Sequence, residues 1–385
     1  MKMNNLCVFC IVLIVLTVGW SAPADAQDAS FELIPGSGST SVSFWARGVS
    51  ADGSVVVGVE DGTVFRWTEA AGTEFLSGAD WNNTFTAAVS GDGSTILSTV
   101  DDGTGVFAPS LYTDAGGWVS IGGLIPSPPS GRVSLGTGYA LNDDGTVAAG
   151  LAWKADQTAE AFSWDAVGGM VGLGQPGDIL SSRANGVSGD GSVVVGFFEN
   201  VDTGCRRPAR WTNQGTVDLF LGAEICGEAY SVSTDGRIVV GSAYVPGADY
   251  ETAFYFTDAG GWVDLGKLVD NPFHSAMATS IADNGTIVGL SGDAASQNWK
   301  GFVWTQADGM QEIEEYLTSL GVTVPDGLYL AEARDISADG STIVGTVVDT
   351  NGYLNAYMAT IPTSLFVDGF ESGGRWWWSA VVSGQ

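Results

Sequence analysis

The apolar residues of this chain fall in short runs separated by Asp-Gly or Asn-Gly pairs and by glycine-ended polar clusters. GVSADGSVVVG at 48–58 returns as GVSGDGSVVVG at 186–196 with one position changed. Weaker copies occupy 87–98, 139–150, 229–241, 278–289 and 333–345. The seven turn pairs are Asp52/Gly53, Asp92/Gly93, Asp144/Gly145, Asp190/Gly191, Asp235/Gly236, Asn284/Gly285 and Asp339/Gly340. Successive copies therefore lie 40 to 55 residues apart. An aromatic segment follows each copy, as in VFRWT (64–68), AFSWD (161–165), AFYFT (253–257) and GFVWT (301–305). A short apolar segment near glycine closes the unit, as in GMVGLG (169–174) and GWVDLG (261–266).

Each unit thus predicts four short strands in roughly 45 residues, the size of one propeller blade. Asp-Gly between apolar runs signals a hairpin, because a tight turn needs positive φ angles that these residues tolerate. In the aromatic segment Phe65 and Trp67, or Phe302 and Trp304, stand two apart and share a face. The unbroken Val runs at 55–57 and 193–195 suit a middle strand buried on both faces. The expectation is an all-β, seven-bladed β-propeller whose first strands line the channel. The last unit lacks a clear fourth strand. SFELIPG (30–36) is a spare one that closes the ring from the N-terminus, with SLFVDGF (364–370) as the alternative. Closure removes exposed strand edges.

The two ends change the picture. Residues 1–26 read as a signal peptide: Lys2, an apolar run over 6–18, and small residues at Ala24 and Ala26. The run is too short for a comfortable membrane span. The organisation expected is signal peptide 1–26, propeller 27–363 and tail 364–385. Cleavage would remove Cys7 and Cys10 and leave Cys205 and Cys226, an even pair that in an exported chain suggests a disulfide. Two free buried thiols remain the alternative from spacing alone.

Charge excludes some partners. Asp and Glu total 44 against 14 Lys and Arg, a net charge of −30. Such a surface repels phosphate backbones and anionic lipid, so no nucleic-acid partner is expected. It could attract calcium, though the turn aspartates do not share an EF-hand pattern.

The succession Val-Ser-x-Asp-Gly-x-Val-Val-Gly, Ala-Phe-x-Trp and Gly-Met-x-x-Leu-Gly resembles the bacterial extracellular HAF repeat family over about residues 30–362. The stretch 309–345 carries the likeness furthest, with a short helical insertion over about 312–320 broken at Gly321. The resemblance implies secretion and a propeller-like architecture, and no activity. The histidine of His-Ala-Phe is replaced by Glu160, Thr252, Lys300 and Asn355, so no role of that histidine carries over. The final LFVDGFESGGRWWWSAVV is similar to a short C-terminal tail of secreted bacterial proteins. Asp368, Gly369, Phe370, Glu371, Ser372, Gly373, Trp378 and Ser379 match it, which implies surface attachment through residues 364–385.

Catalytic chemistry finds little purchase. His274 is the only histidine, in a loop without an identified partner, so a histidine triad has one candidate member. Gly172, Gly174 and Gly177 spell a nominal GxGxxG, but it closes a repeat and holds Pro176, so no dinucleotide site follows. Three stretches depart most from the repeat, 77–86, 126–138 and 244–251, and a grafted site would sit there. The reading is an extracellular or cell-surface binding or scaffold module for an unknown glycan or protein. The catalytic alternative is a polysaccharide-active hydrolase or lyase using paired carboxylates on one disc face. The structural alternative is a calcium-stabilised surface protein.

Overall fold

The computed structural model describes residues 28–38, 43–76, 86–101, 103–174, 179–220, 225–244, 250–271, 273–293 and 298–362. The proposed signal peptide, the alternative closing strand and the tail lie outside them. Seven four-stranded antiparallel sheets stand around one axis, forming a seven-bladed β-propeller. Blade I holds β2 (Phe44–Val49), β3 (Val55–Glu60), β4 (Thr63–Thr68) and β5 (Gly72–Phe75). Blade II runs β6 (Ala87–Val89), β7 (Ile96–Asp101), β8 (Phe107–Thr113) and β9 (Gly117–Ser120). Blade III runs β10 (Gly136–Leu141), β11 (Val147–Trp153), β12 (Ala159–Asp165) and β13 (Gly169–Gly172). Blade IV runs β14 (Ile179–Val187), β15 (Val194–Asn200), β16 (Arg206–Thr212) and β17 (Gly215–Asp218). Blade V runs β18 (Gly227–Val232), β19 (Ile238–Tyr244), β20 (Glu251–Thr257) and β21 (Gly261–Gly266). Blade VI runs β22 (His274–Ile281), β23 (Ile287–Asp293), β24 (Asn298–Thr305) and β25 (Gly309–Glu312). Blade VII takes β26 (Tyr329–Ile336), β27 (Thr342–Val348) and β28 (Leu354–Thr360), and completes itself with β1 (Ser30–Leu33). The closing strand pairs antiparallel with β28, Ser30 opposite Thr360 and Leu33 opposite Tyr357. A strand from near each end of the described chain therefore shuts the ring.

The Asp-Gly hairpins form, each through a four-residue turn. The Ser50 N–H donates to the Val55 carbonyl at 2.9 Å, so the turn between them holds residues 51–54. Of each turn pair the glycine alone has positive φ, +75° at Gly53 and +72° at Gly93. Gly145, Gly191, Gly236, Gly285 and Gly340 repeat this, at +70°, +74°, +75°, +84° and +75°. Their partners Asp144, Asp190, Asp235, Asn284 and Asp339 do not share it, so of the pair only the glycine takes the positive φ that a tight turn was expected to need.

The aspartate has another task. Asp52 Oδ1 accepts the Ser54 N–H (3.0 Å) and the Ser50 hydroxyl (2.8 Å), while the Ser50 oxygen accepts the Val55 N–H (2.9 Å). The same arrangement recurs at Asp92, Asp190, Asp235 and Asp339. At Asp144 the serine is replaced by Asn142, whose amide donates at 2.9 Å. Asn284 keeps the bond from the residue after glycine, accepting the Thr286 N–H at 3.0 Å. Hydrogen bonds from Ser54 hold the Asp52 carboxyl below the usual range, and bonds from Ser90 and Ser94 do so for Asp92. The turn glycines also meet the neighbouring blade. A Cβ at Gly93, Gly191 or Gly236 would fall 2.5, 2.7 or 2.8 Å from a methyl of Val55, Val147 or Val193. At Gly145 it would meet Thr95 at 2.9 Å, and at Gly340 the Asn284 amide at 2.3 Å.

The valine runs bury both faces. Val56 packs with Val344 and Ala356 of blade VII, whereas Val57 packs with Ile96 and Val100 of blade II. Each is fully buried, worth about 1.5–3 kcal/mol. The glycine ending the run has its own cause. Gly58 lies opposite Phe65, Gly150 opposite Phe162, Gly241 opposite Phe254 and Gly289 opposite Phe302. The ring lies across the glycine, and a Cβ at Gly58 would stand 2.6 Å from it and 2.0 Å from the Trp45 carbonyl oxygen. The one described helix, α1 (Ile313–Ser319), buries Ile313, Tyr316 and Leu317 in the core shared by blades VI and VII, and Gly321 (φ +83°) follows it.

Candidate functional site

Alternating strand direction gives the disc two unlike faces. The Asp-Gly turns and the turns after each third strand share one face. The blade-to-blade connections and the links between second and third strands share the other, varied face. The stretch 126–138 belongs to the varied face. There Phe107 exchanges backbone hydrogen bonds with Val133 and Leu135 at 2.8 Å, and the Arg132 guanidinium stacks 3.3 Å from the Trp153 ring centroid. Of 77–86 only Thr86 is among the described residues, and of 244–251 only Tyr244, Tyr250 and Glu251.

Cys205 and Cys226 are bonded on the varied face, Cα atoms 5.5 Å apart. Cys205 sits in the β15–β16 link and Cys226 just before β18, so the bond joins blade IV to blade V. Beside them Arg206 and Glu228 form an ion pair at 3.0 Å.

The turn pairs, from Asp52/Gly53 round to Asp339/Gly340, are spread round one face of the disc and do not gather at one point. They interlock instead. The N–H groups of Ala51, Asp143, Gly189 and Asp283 donate to Gly91, Gly189, Thr234 and Ala338 of the next blade at 2.9–3.2 Å, and Asp339 donates to Ala51. This backbone belt frames one mouth of the channel. Asp143 faces Asp283 and Asp144 closely enough that burial, then their charge, raises its pKa. Among the described residues no three His, Cys, Asp or Glu side chains gather as a metal site would need.

The channel itself is a cavity of about 640 Å³. A feature not anticipated from the sequence shapes it. Six of the seven innermost strands carry a β-bulge six residues before the turn glycine. The unpaired residue is Arg47, Tyr139, Asn185, Tyr230, Thr279 or Arg334. A bulge leaves one residue outside the ladder and re-aims its side chain. All six line the cavity, and Ala87 fills the place in blade II. The residue before each bulge is small, Ala46, Gly138, Ala184, Ala229, Ala278 or Ala333, and belongs to the packed wall. Thr137, Arg183, Met277 and Glu332 line the cavity two residues earlier. The signal lay in the aligned repeats: one position changes from Arg to Tyr to Asn to Thr between a constant small residue and a constant turn.

Charge in the channel is unevenly paired. Arg183 donates from Nε to Asn185 at 2.7 Å, pairs with the buried Glu228 carboxylate, and stacks 5.1 Å from the Tyr139 ring. Asn185 also donates to Glu228 at 2.9 Å. Burial, then Glu228, raises the Tyr230 phenol above its usual value. On the opposite side Arg47 lies 3.5 Å from Glu332 and 4.5 Å from the Trp45 ring centroid. Burial lowers its pKa to about 10, against the pull of Glu332 and with the push of Arg334. Asp335 holds the wall together: its carboxylate accepts the Ser280 hydroxyl (2.6 Å) and the Val49 and Ile336 N–H groups (3.0 Å each). Burial raises its pKa. His274 begins β22 with a buried, unpartnered Nδ1, and Gly172 ends β13, followed by no described helix.

No helix among the described residues is long and apolar enough to cross a membrane. No protein-family model matches the chain, and no curated protein sequence does. Solved structures match in fold. Puromycin hydrolase superposes with TM-score 0.54 at 13% identity, over 82% of this chain and 52% of that one, so the chain spans about half its length. A putative TolB from Agrobacterium tumefaciens gives 0.44 at 14% identity over 83% and 91% of the two chains. TolB from Acinetobacter baumannii gives 0.43 at 13% over 86% and 66%. At these identities the likeness is one of fold: the chain is a β-propeller.

Proposed function

We propose that this protein is an exported binding module, of the HAF repeat type, that recognises its ligand with the channel-lining bulge residues. The observation that carries this reading is the bulge ring. A repeat that keeps its turn glycine, and a small residue seven positions before it in six blades, varies at the bulge position whose residue lines the cavity. Propeller ligands commonly sit in concave, partly apolar sites with a few convergent polar groups. Tyr139, Tyr230, Asn185 and the arginines supply such groups. The turn carboxylates are occupied by their own hydrogen bonds, which supports a structural role for them. The signal peptide and the attachment role of residues 364–385 belong to the same proposal and would place the disc outside the cell or on its surface.

The test is a solution screen against glycans and secreted proteins with wild type and the pair Tyr139→Ala and Tyr230→Ala. Both rings face the cavity, and stacked aromatics are worth about 1–3 kcal/mol in such sites. The double variant should weaken the best hit about tenfold or more. Unchanged binding by a folded double variant would move the site off the channel. Turnover of a glycan, abolished by one Asp or Glu substitution, would replace the binding module with the hydrolase.

A further inference from the structure

Two channel guanidiniums are incompletely paired, and both stand on bulges of neighbouring strands. Arg334 lines the cavity from the β26 bulge, makes no hydrogen bond or ion pair among the described residues, and acts by its charge on neighbouring Asp335. Arg47 lines it from β2, with a side chain only 13% exposed. Its Nε is buried without a partner. The carboxylate beside it, Glu332, is 3.5 Å away and already accepts the Thr346 hydroxyl at 2.7 Å. Asp335 cannot serve either cation well, because Ser280, Val49 and Ile336 occupy both of its oxygens. Arg183 shows the contrast, being fully paired with Glu228 and Asn185. A buried donor left open, as Arg47 Nε is, is costly to a folded chain, and the half-exposed Arg334 presents its donors to the channel. Arginine's planar fork suits a carboxylate.

Charge and shape narrow the ligand. Glu332 and Asp335 stand beside the two guanidiniums, with Asp335 spending both oxygens on the wall, so the site suits a monoanionic carboxylate better than a phosphate dianion. In a chain of net charge −30, long-range steering of an anion is unfavourable, so direct contacts must supply the recognition. The rest of the wall offers the rings of Tyr139 and Tyr230 with the amide of Asn185 and the hydroxyl of Thr279. Aromatic faces take the C–H face of a pyranose, and amides and hydroxyls take its hydroxyls. About 640 Å³ accommodates a short oligosaccharide.

We propose that the channel binds an acidic sugar, its carboxylate seated between Arg47 and Arg334. This rests on the channel being the recognition site. The test is calorimetric titration of the full chain with trigalacturonate, its methyl ester and inorganic phosphate, using wild type and Arg334→Gln. Trigalacturonate should bind, with the ester about tenfold weaker or more. Arg334→Gln should lose about tenfold for the acid and nothing for the ester, with its melting temperature unchanged, since Arg334 has no hydrogen bond or ion pair to lose. Equal binding of acid and ester overturns the proposal. So does phosphate binding as tightly as the sugar, an Arg334→Gln protein that binds like wild type, or no binding of any acidic sugar. A neutral or protein ligand held by Tyr139 and Tyr230 in that last case would leave channel recognition standing and sink the acidic sugar alone.

Discussion

At the residue scale the repeat is a set of solved local problems. The serine–aspartate–glycine turn satisfies its own donors, so its carboxylates read as structure. The sequence signalled the hairpin but not which residue of the pair takes the positive φ, because Asp-Gly serves tight two-residue turns as well as the four-residue turn found here. The glycine after the valines carried no legible reason in the sequence, since its cause is the ring of a residue several positions later on the next strand. That cause is testable. Gly58→Ala would force a Cβ to 2.0 Å from the Trp45 carbonyl and 2.6 Å from the Phe65 ring. Overpacking of this kind should cost about 3 kcal/mol or more, read as a lowered denaturant midpoint with unchanged slope. A loss under about 0.5 kcal/mol would show that the Trp45 carbonyl and the Phe65 ring both give way.

At the element scale the blade was legible because four short strands repeat with hairpin signals between them. The bulge was not, because a bulge is a register property of two paired strands and one strand alone does not announce it. Its trace was a variable position directly after a small residue in the aligned inner strands. The closing strand was legible by elimination, since the last unit lacked a fourth segment and residues 30–36 lacked a first. The disulfide acts at this scale too, tying the β15–β16 link to the entry of β18. It spans 21 residues, and a loop of that size predicts about 3 kcal/mol lost in Cys205→Ser with Cys226→Ser. Because Arg206 and Glu228 lie beside the two cysteines, the same variant should weaken the Arg206–Glu228 pair. Equal stability of the double variant and wild type, measured by chemical denaturation, would show that the bond adds nothing to the blade IV–V junction.

At the scale of the whole molecule, closure makes the ring a rigid frame with two unlike faces. The Asp-Gly turns belt one mouth by backbone hydrogen bonds. The varied connections and the disulfide crowd the other face. Between them the bulges present inner-strand positions free to vary without disturbing the ladder. In so acidic a chain the frame places Arg47, Arg183 and Arg334 in the channel, where the proposed recognition would use them. The most direct measurement is a crystal structure of the protein with the tightest ligand from the binding screen. The account predicts electron density in the channel, in contact with residues from at least two of the bulges at Arg47, Tyr139, Asn185, Tyr230, Thr279 and Arg334. Density on the Asp-Gly turns or along the outer strands, with the channel empty, would contradict it.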